Sequence, residues 1–216
     1  MDCGRVSDGA TTRHQQGSQR SRADERRERI LTAASRLFAE QGFHNTGIAQ
    51  IARESDVLVG QLYRDFASKQ DIIVAIVERD MQDFLPDVEL TTALDANDHP
   101  AIRRWITRFI SCPPEEGETD HRVISEIIAE AARSDRVAGV VTRIHQSFRS
   151  QLSSALERLA PGDARARRRE MLVEVILTIS NGVFQRRVTF RDALPDEVIA
   201  VLAEGVQRRI DMLAAS

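Results

Sequence analysis

Several residue types are scarce in this chain, and each shortage removes a class of function. Two cysteines occur in 216 residues. They are Cys3 and Cys112, in unrelated surroundings and outside any Cys-x-x-Cys or His–Cys cluster, which argues against a disulfide framework and against structural zinc. The histidines His14, His44, His99, His121 and His145 stand without cysteines or acids at metal-ligand spacing. Glu126 and Glu130 share a helix face, but no Glu-x-x-His accompanies them. No glycine-rich loop is built to cradle a phosphate, and no nucleophile stands with its base. The chain is therefore read as a non-enzyme with no cofactor and no metal. No apolar run approaches the ~18 residues of a membrane span, and the polar N-terminus lacks the apolar stretch of a signal peptide. A cytoplasmic protein without membrane contact is expected. Lysine occurs once, at Lys69, so 29 of the 30 basic residues are arginine. Base composition of the gene accounts for that bias.

What the chain does have is helical periodicity. Nowhere does apolar character alternate with period two over the length of a strand, so an all-α fold is expected. Residues 1–22 are polar and are expected to be a disordered arm. From Ala23 to Gln41, Ile30, Ala34, Leu37 and Phe38 fall on one face, and Gly42 ends the helix. In the next stretch Ile48, Ile51 and Ala52 are spaced i, i+3, i+4, with Thr46 at the expected N-cap. Ser55-Asp56 breaks the pattern, because both side chains compete with helix and Asp tolerates a left-handed conformation. A second short helix, about Leu58 to Asp65, buries Leu62 and Phe66 and leaves Val59, Gly60, Gln61, Tyr63 and Arg64 outside. Ser68 and Asp71 then form a capping box for a fourth helix, Lys69 to about Leu85. This is a helix-turn-helix, with Gln, Tyr and Arg on the face that would enter a major groove.

The run from Ile30 to Glu78 resembles the DNA-binding domain of the tetracycline-repressor (TetR) family. The likeness lies in the combined spacing of Phe38, Gly42-Phe43, Thr46, Ile51-Ala52, Gly60, Leu62-Tyr63, Phe66 and Ser68-Lys69. It implies an all-helical homodimer that binds a palindromic double-stranded DNA operator, commonly as a repressor released by a small-molecule effector. The expected DNA-binding residues are Thr46, Gly47, Gln50, Leu58, Val59, Gly60, Gln61, Tyr63, Arg64 and Lys69. Gln61 is assigned to base reading and Thr46, Tyr63 and Lys69 to phosphate contact. The family usually has Gly in the turn and Ser or Thr opening the recognition helix. Asp56 and Leu58 stand there in this chain, which leaves the cap and one phosphate or base contact unassigned. Asp65 replaces the usual His or Tyr and is expected to point away or to pair with Arg64 or Lys69. An alternative keeps the same DNA reader but places it under a protein partner instead of a metabolite.

Charge gives mixed guidance. The net charge is -3, and Ala23 to Glu78 carries seven basic against nine acidic residues. Phosphate responds to local charge on one face more than to this total. The expected domains are 23–85 for DNA binding and 86–216 for effector binding and dimerisation. Residues 86–99 look irregular, and helices are expected over 101–111, 121–132, 136–159, 165–190 and from Pro195 to about Leu213. A pocket is expected among Trp105, Phe109, Ser125, Ile144, His145, Phe148, Val175, Asn181 and Phe184, fit for an apolar or aromatic effector. The last two helices carry apolar residues on more than one face. Ile179, Gly182, Val183, Val201, Leu202, Gly205 and Val206 are the expected dimer interface.

Overall fold

A computed structural model describes residues 9–82, 88–111, 121–190 and 194–215. Among them every regular element is helical, and no helix is long and apolar enough to cross a membrane. The chain divides into two compact units, Met1–Ile76 and Val77–Ser216.

The first unit is built on α1, Gly9–Gln41. Its Ile30, Ala34, Leu37 and Phe38 are almost wholly buried, as are Ile51 and Ala52 of α2, Ile48–Glu54, and Leu62 of α3, Val59–Asp65. Ile72, Ile73 and Ile76 at the start of α4, Lys69–Gln82, are also fully buried. Gly42 stops α1 at a φ of 84°, a conformation that favours a residue without Cβ, and Phe43 turns back so that its ring lies 5.2 Å from that of Phe38. Of the expected arm, residues 9–22 continue α1, and residues 1–8 lie outside the described residues. Once Ile30 to Phe38 are packed, each added residue gains a hydrogen bond without a new nucleus, and Arg and Gln tolerate helix well.

The second unit contains α5 (Val88–Asp95), α6 (His99–Ser111), α7 (His121–Ala131), α8 (Asp135–Leu159), α9 (Ala166–Thr189) and α10 (Asp196–Ala215). Its core gathers Ile102, Trp105, Ile106 and Ile110 of α6, Leu152 and Leu156 of α8, Leu172, Val173 and Ile176 of α9, and Val206 and Ile210 of α10. The stretch expected to be irregular holds α5. Leu90 and Ala93 are buried and Leu94 partly so, a single apolar face long enough for two turns. Caps fix the ends. Asp98 Oδ1 accepts from Ala101 N at 2.9 Å ahead of α6, and Ser134 caps α8 through Val137 N. Between α8 and α9, Gly162 takes φ 108°, and the Arg169 guanidinium donates to the carbonyls of Ala160 and Gly162 at 2.9 and 2.7 Å.

Candidate nucleic-acid interface

The turn between α2 and α3 is made by three residues. Ser55 Oγ donates to Ile51 O at 2.8 Å and Ala52 O at 3.2 Å, closing α2 from its own last turn. Asp56 follows at φ 52°, the left-handed conformation expected of it. Val57 N then returns to Ala52 O at 2.9 Å, and its side chain is buried. Leu58 occupies the N-cap of α3 with an extended backbone and no side-chain cap. At seven residues α3 has little stability of its own and depends on what grips it.

Much of that grip comes from α1. Arg26 donates from Nε and Nη2 to the Asp65 carboxylate at 2.6 and 2.9 Å, the two-pronged geometry that suits guanidinium and carboxylate. Arg27 donates to the Asp65 carbonyl at 2.9 Å and lies 4.3 Å over the Phe66 ring. Hydrogen bonding from Arg26 holds the Asp65 carboxyl below its ordinary value against the opposing effect of burial, and Asp65 in turn raises the Arg26 guanidinium. The expected partners of Asp65, Arg64 or Lys69, give way to Arg26. A second acid, Glu54, is held by Arg36 of α1 at 2.6 Å.

Two residues expected at phosphates have partners inside the first unit. Thr46 is 1% exposed, and its hydroxyl donates to Gly42 O at 2.9 Å and Leu37 O at 3.3 Å. It locks the α1–α2 loop, while Gly47 takes the N-cap of α2 without a side-chain bond. Lys69 turns inward: its ammonium donates to the carbonyls of Phe43 and Thr46 and sits 4.3 Å over the Phe43 ring. Carbonyls left over where α1 ends attract a cation more closely than open solvent does. The capping box of α4 is present, with Ser68 N donating to Asp71 Oδ2 at 2.9 Å and Asp71 N to Ser68 Oγ at 3.2 Å.

Gly47, Leu58, Val59, Gly60, Tyr63 and Arg64 are exposed, and Gln61 is half-buried. Gln50 is half-buried and donates to the Gln41 side chain at 2.9 Å. Space is open around the Cβ position of both Gly47 and Gly60. Arg53, near the end of α2, is exposed as well. The sequence reading missed Arg26 and Arg27 because their partner lies 39 and 38 residues away, a separation that leaves no periodic signal.

In the second unit the expected pocket residues divide. Trp105 stacks on Phe109 with centroids 5.5 Å apart, and Phe109 meets Phe148 edge-on at 5.4 Å. Ser125, Ile144 and Phe184 are half-buried, whereas His145, Val175 and Asn181 point outward and do not join this cluster. Helical spacing placed them near one another, but the rotation of α8 and α9 was set by the larger apolar faces. The expected dimer residues divide for the same reason. Val183 and Val206 belong to the protomer's own core. Gly182, Val201 and Gly205 are exposed, Ile179 and Leu202 half-buried. Met171, Val175, Val198 and Met212 join them on the outer faces of α9 and α10. Among the described residues no group of three or more His, Cys, Asp or Glu gathers to hold a metal ion.

Residues 30–76 match the family described as bacterial regulatory proteins, tetR family. The chain is 31% identical over 113 residues to the HTH-type transcriptional regulator HbdR of Aromatoleum sp. (strain CIB), covering 52% of this chain and 48% of that one. It is 29% identical over 126 residues to the HTH-type transcriptional regulator UidR of Escherichia coli (strain K12), covering 56% and 60%. The chain thus spans about half the length of these curated relatives. A TetR transcription regulator from Haloarcula marismortui shares the fold, with a TM-score of 0.70 at 17% identity over 88% of this chain and 98% of that one.

Proposed function

We propose that the chain is a regulator of the TetR type, to which residues 30–76 and the relatives above are similar, and that it binds a palindromic operator as a homodimer and represses until a small apolar or aromatic effector releases it. One observation carries the reading. The short helix α3 is clamped to α1 through Asp65 and Phe66, while Leu58, Val59, Gly60, Tyr63 and Arg64 stand open to solvent. A helix fixed on one side and open on the other is what major-groove entry requires. Gln61 has the amide that pairs in bidentate fashion with adenine, and Arg53, Tyr63 and Arg64 supply donors for phosphate or base edges.

Dimerisation is supported by the exposed apolar residues of the last two helices. On α9, Met171, Val175 and Gly182 are spaced four and seven apart, and on α10, Val198, Val201, Gly205 and Met212 follow at three, four and seven. Each set forms a stripe on one side of its helix, and such a surface favours association with a second copy. The aromatic cluster of Trp105, Phe109 and Phe148 supports an apolar or aromatic effector.

The test begins with duplexes selected from a random pool by the purified full chain. An enriched sequence with dyad symmetry, bound by two protomers, is the expected result. Gln61→Ala should then weaken the selected site by about 1–3 kcal/mol and relax one base pair per half-site, with the salt slope nearly unchanged. A pool with no enriched sequence refutes the reading.

A further inference from the structure

We infer that the recognition helix reads the methyl groups of thymine, with Leu58 and Val59 as the specificity-determining side chains, an inference that rests on the DNA-binding reading above. Leu58 is 73% exposed, Val59 41% and Tyr63 54%. Val59 and Tyr63 are four residues apart and share a helix face, and Leu58 precedes them in the extended backbone of the N-cap. Gly60 lies between with open space at its Cβ position and adds no side chain of its own. Three large apolar bodies within six residues therefore face water on a helix that buries only Leu62.

The charges around this patch favour a nucleic acid as its cover. Arg53 and Arg64 are exposed near it, while the acids Glu54 and Asp65 are each held by an arginine of α1. Asp56, in the turn, remains exposed. An apolar centre with cations beside it fits a groove whose floor carries an apolar group and whose edges are phosphates. In the major groove only thymine offers an apolar group, its C5-methyl. Leu58 and Val59 have no donor or acceptor in their side chains, so a phosphate, a guanine or a cytosine amine gains nothing from them. Beside Gln61, which suits adenine, they point to consecutive A·T or T·A pairs in each half-site.

The experiment uses the duplex selected from the random pool. Each thymine is replaced in turn by deoxyuridine, which removes the methyl and leaves base pairing and the groove acceptor in place. At one or two positions per half-site, affinity should fall about fourfold, the equivalent of one buried methyl at ~0.8 kcal/mol. Leu58→Ala and Val59→Ala, measured separately, should each bring the thymine-to-uracil ratio at one such position close to one. Both side chains are exposed, so circular dichroism and urea unfolding of the variants should match the parent. A selected site that tolerates uracil at every position overturns this inference alone. An undiminished uracil effect in both variants also overturns it. A pool with no enriched sequence removes the regulator reading and this inference together.

Discussion

Breaking the Arg26–Asp65 pair tests whether the recognition helix is held from α1. The carboxylate accepts two charge-assisted bonds at 2.6 and 2.9 Å, with side-chain exposures of 27% for Arg26 and 12% for Asp65. A fully buried pair loses about 3–5 kcal/mol when one partner is removed, and an exposed pair contributes about 0.2–1 kcal/mol. Here the stranded guanidinium still reaches water, so Asp65→Ala should cost about 1–2 kcal/mol. Part of that is offset by removing an acid from the last turn of α3, where the helix dipole disfavours it by about 0.3–1 kcal/mol. Urea unfolding of Asp65→Ala, Arg26→Ala and the double variant should give a coupling energy of about 1 kcal/mol. Because α3 has only seven residues, amide exchange at Leu62 and Phe66 should speed up more than at Ile30 or Phe38. Asp65 titrates below its ordinary value of 3.8 in the folded protein. Its contribution is therefore present above about pH 4 and is lost as pH falls through the depressed value. The difference between parent and Asp65→Asn should accordingly be constant from about pH 6 to 8 and shrink below about pH 4. A coupling energy near zero, or one that is unchanged in acid, would refute the reasoning.

Three further outcomes follow from the same geometry. Lys69→Met should destabilise the first unit by about 1–2 kcal/mol, since two carbonyls lose a charged donor, while the salt slope of DNA binding stays as in the parent; a slope reduced by about one would return Lys69 to phosphate contact. A Cβ at Gly182 would meet no atom within 4 Å inside the protomer, so in Gly182→Leu secondary structure should be intact while sedimentation shows a weakened dimer, overpacking costing about 1–3 kcal/mol; an unaltered dimer would place the interface elsewhere. Trp105 is 3% exposed against Phe109, so its emission should be blue-shifted and poorly quenched by acrylamide, and a compound that releases DNA by entering the aromatic cluster should change it.

Features decided within about two turns of chain were legible before folding. The stop at Gly42, the left-handed Asp56, the Ser68–Asp71 box and the apolar faces of α1 and α3 involve residues at most eight positions apart, and all are present in the structure. Even the failure at α5 was local: a single short apolar face around Leu90, Ala93 and Leu94 is outweighed by its Thr and Asp neighbours until something covers it.

Tertiary structure decided which groups turn inward. Thr46 and Lys69 carry side chains suited to phosphate, and nothing local says that carbonyls of Leu37, Gly42 and Phe43 will claim them first. Asp65 is a poor residue beside a phosphate until Arg26, 39 positions away, neutralises it. Likewise α9 and α10 each present two apolar faces. Periodicity shows that both exist, but packing alone placed Val183 and Val206 in the core and left Met171 and Val201 outside. The amino-acid order sets what each helix face can bury or donate. The choice among faces belongs to the folded chain, because burial and hydrogen bonding are won by whichever partner the packing brings within a few ångströms.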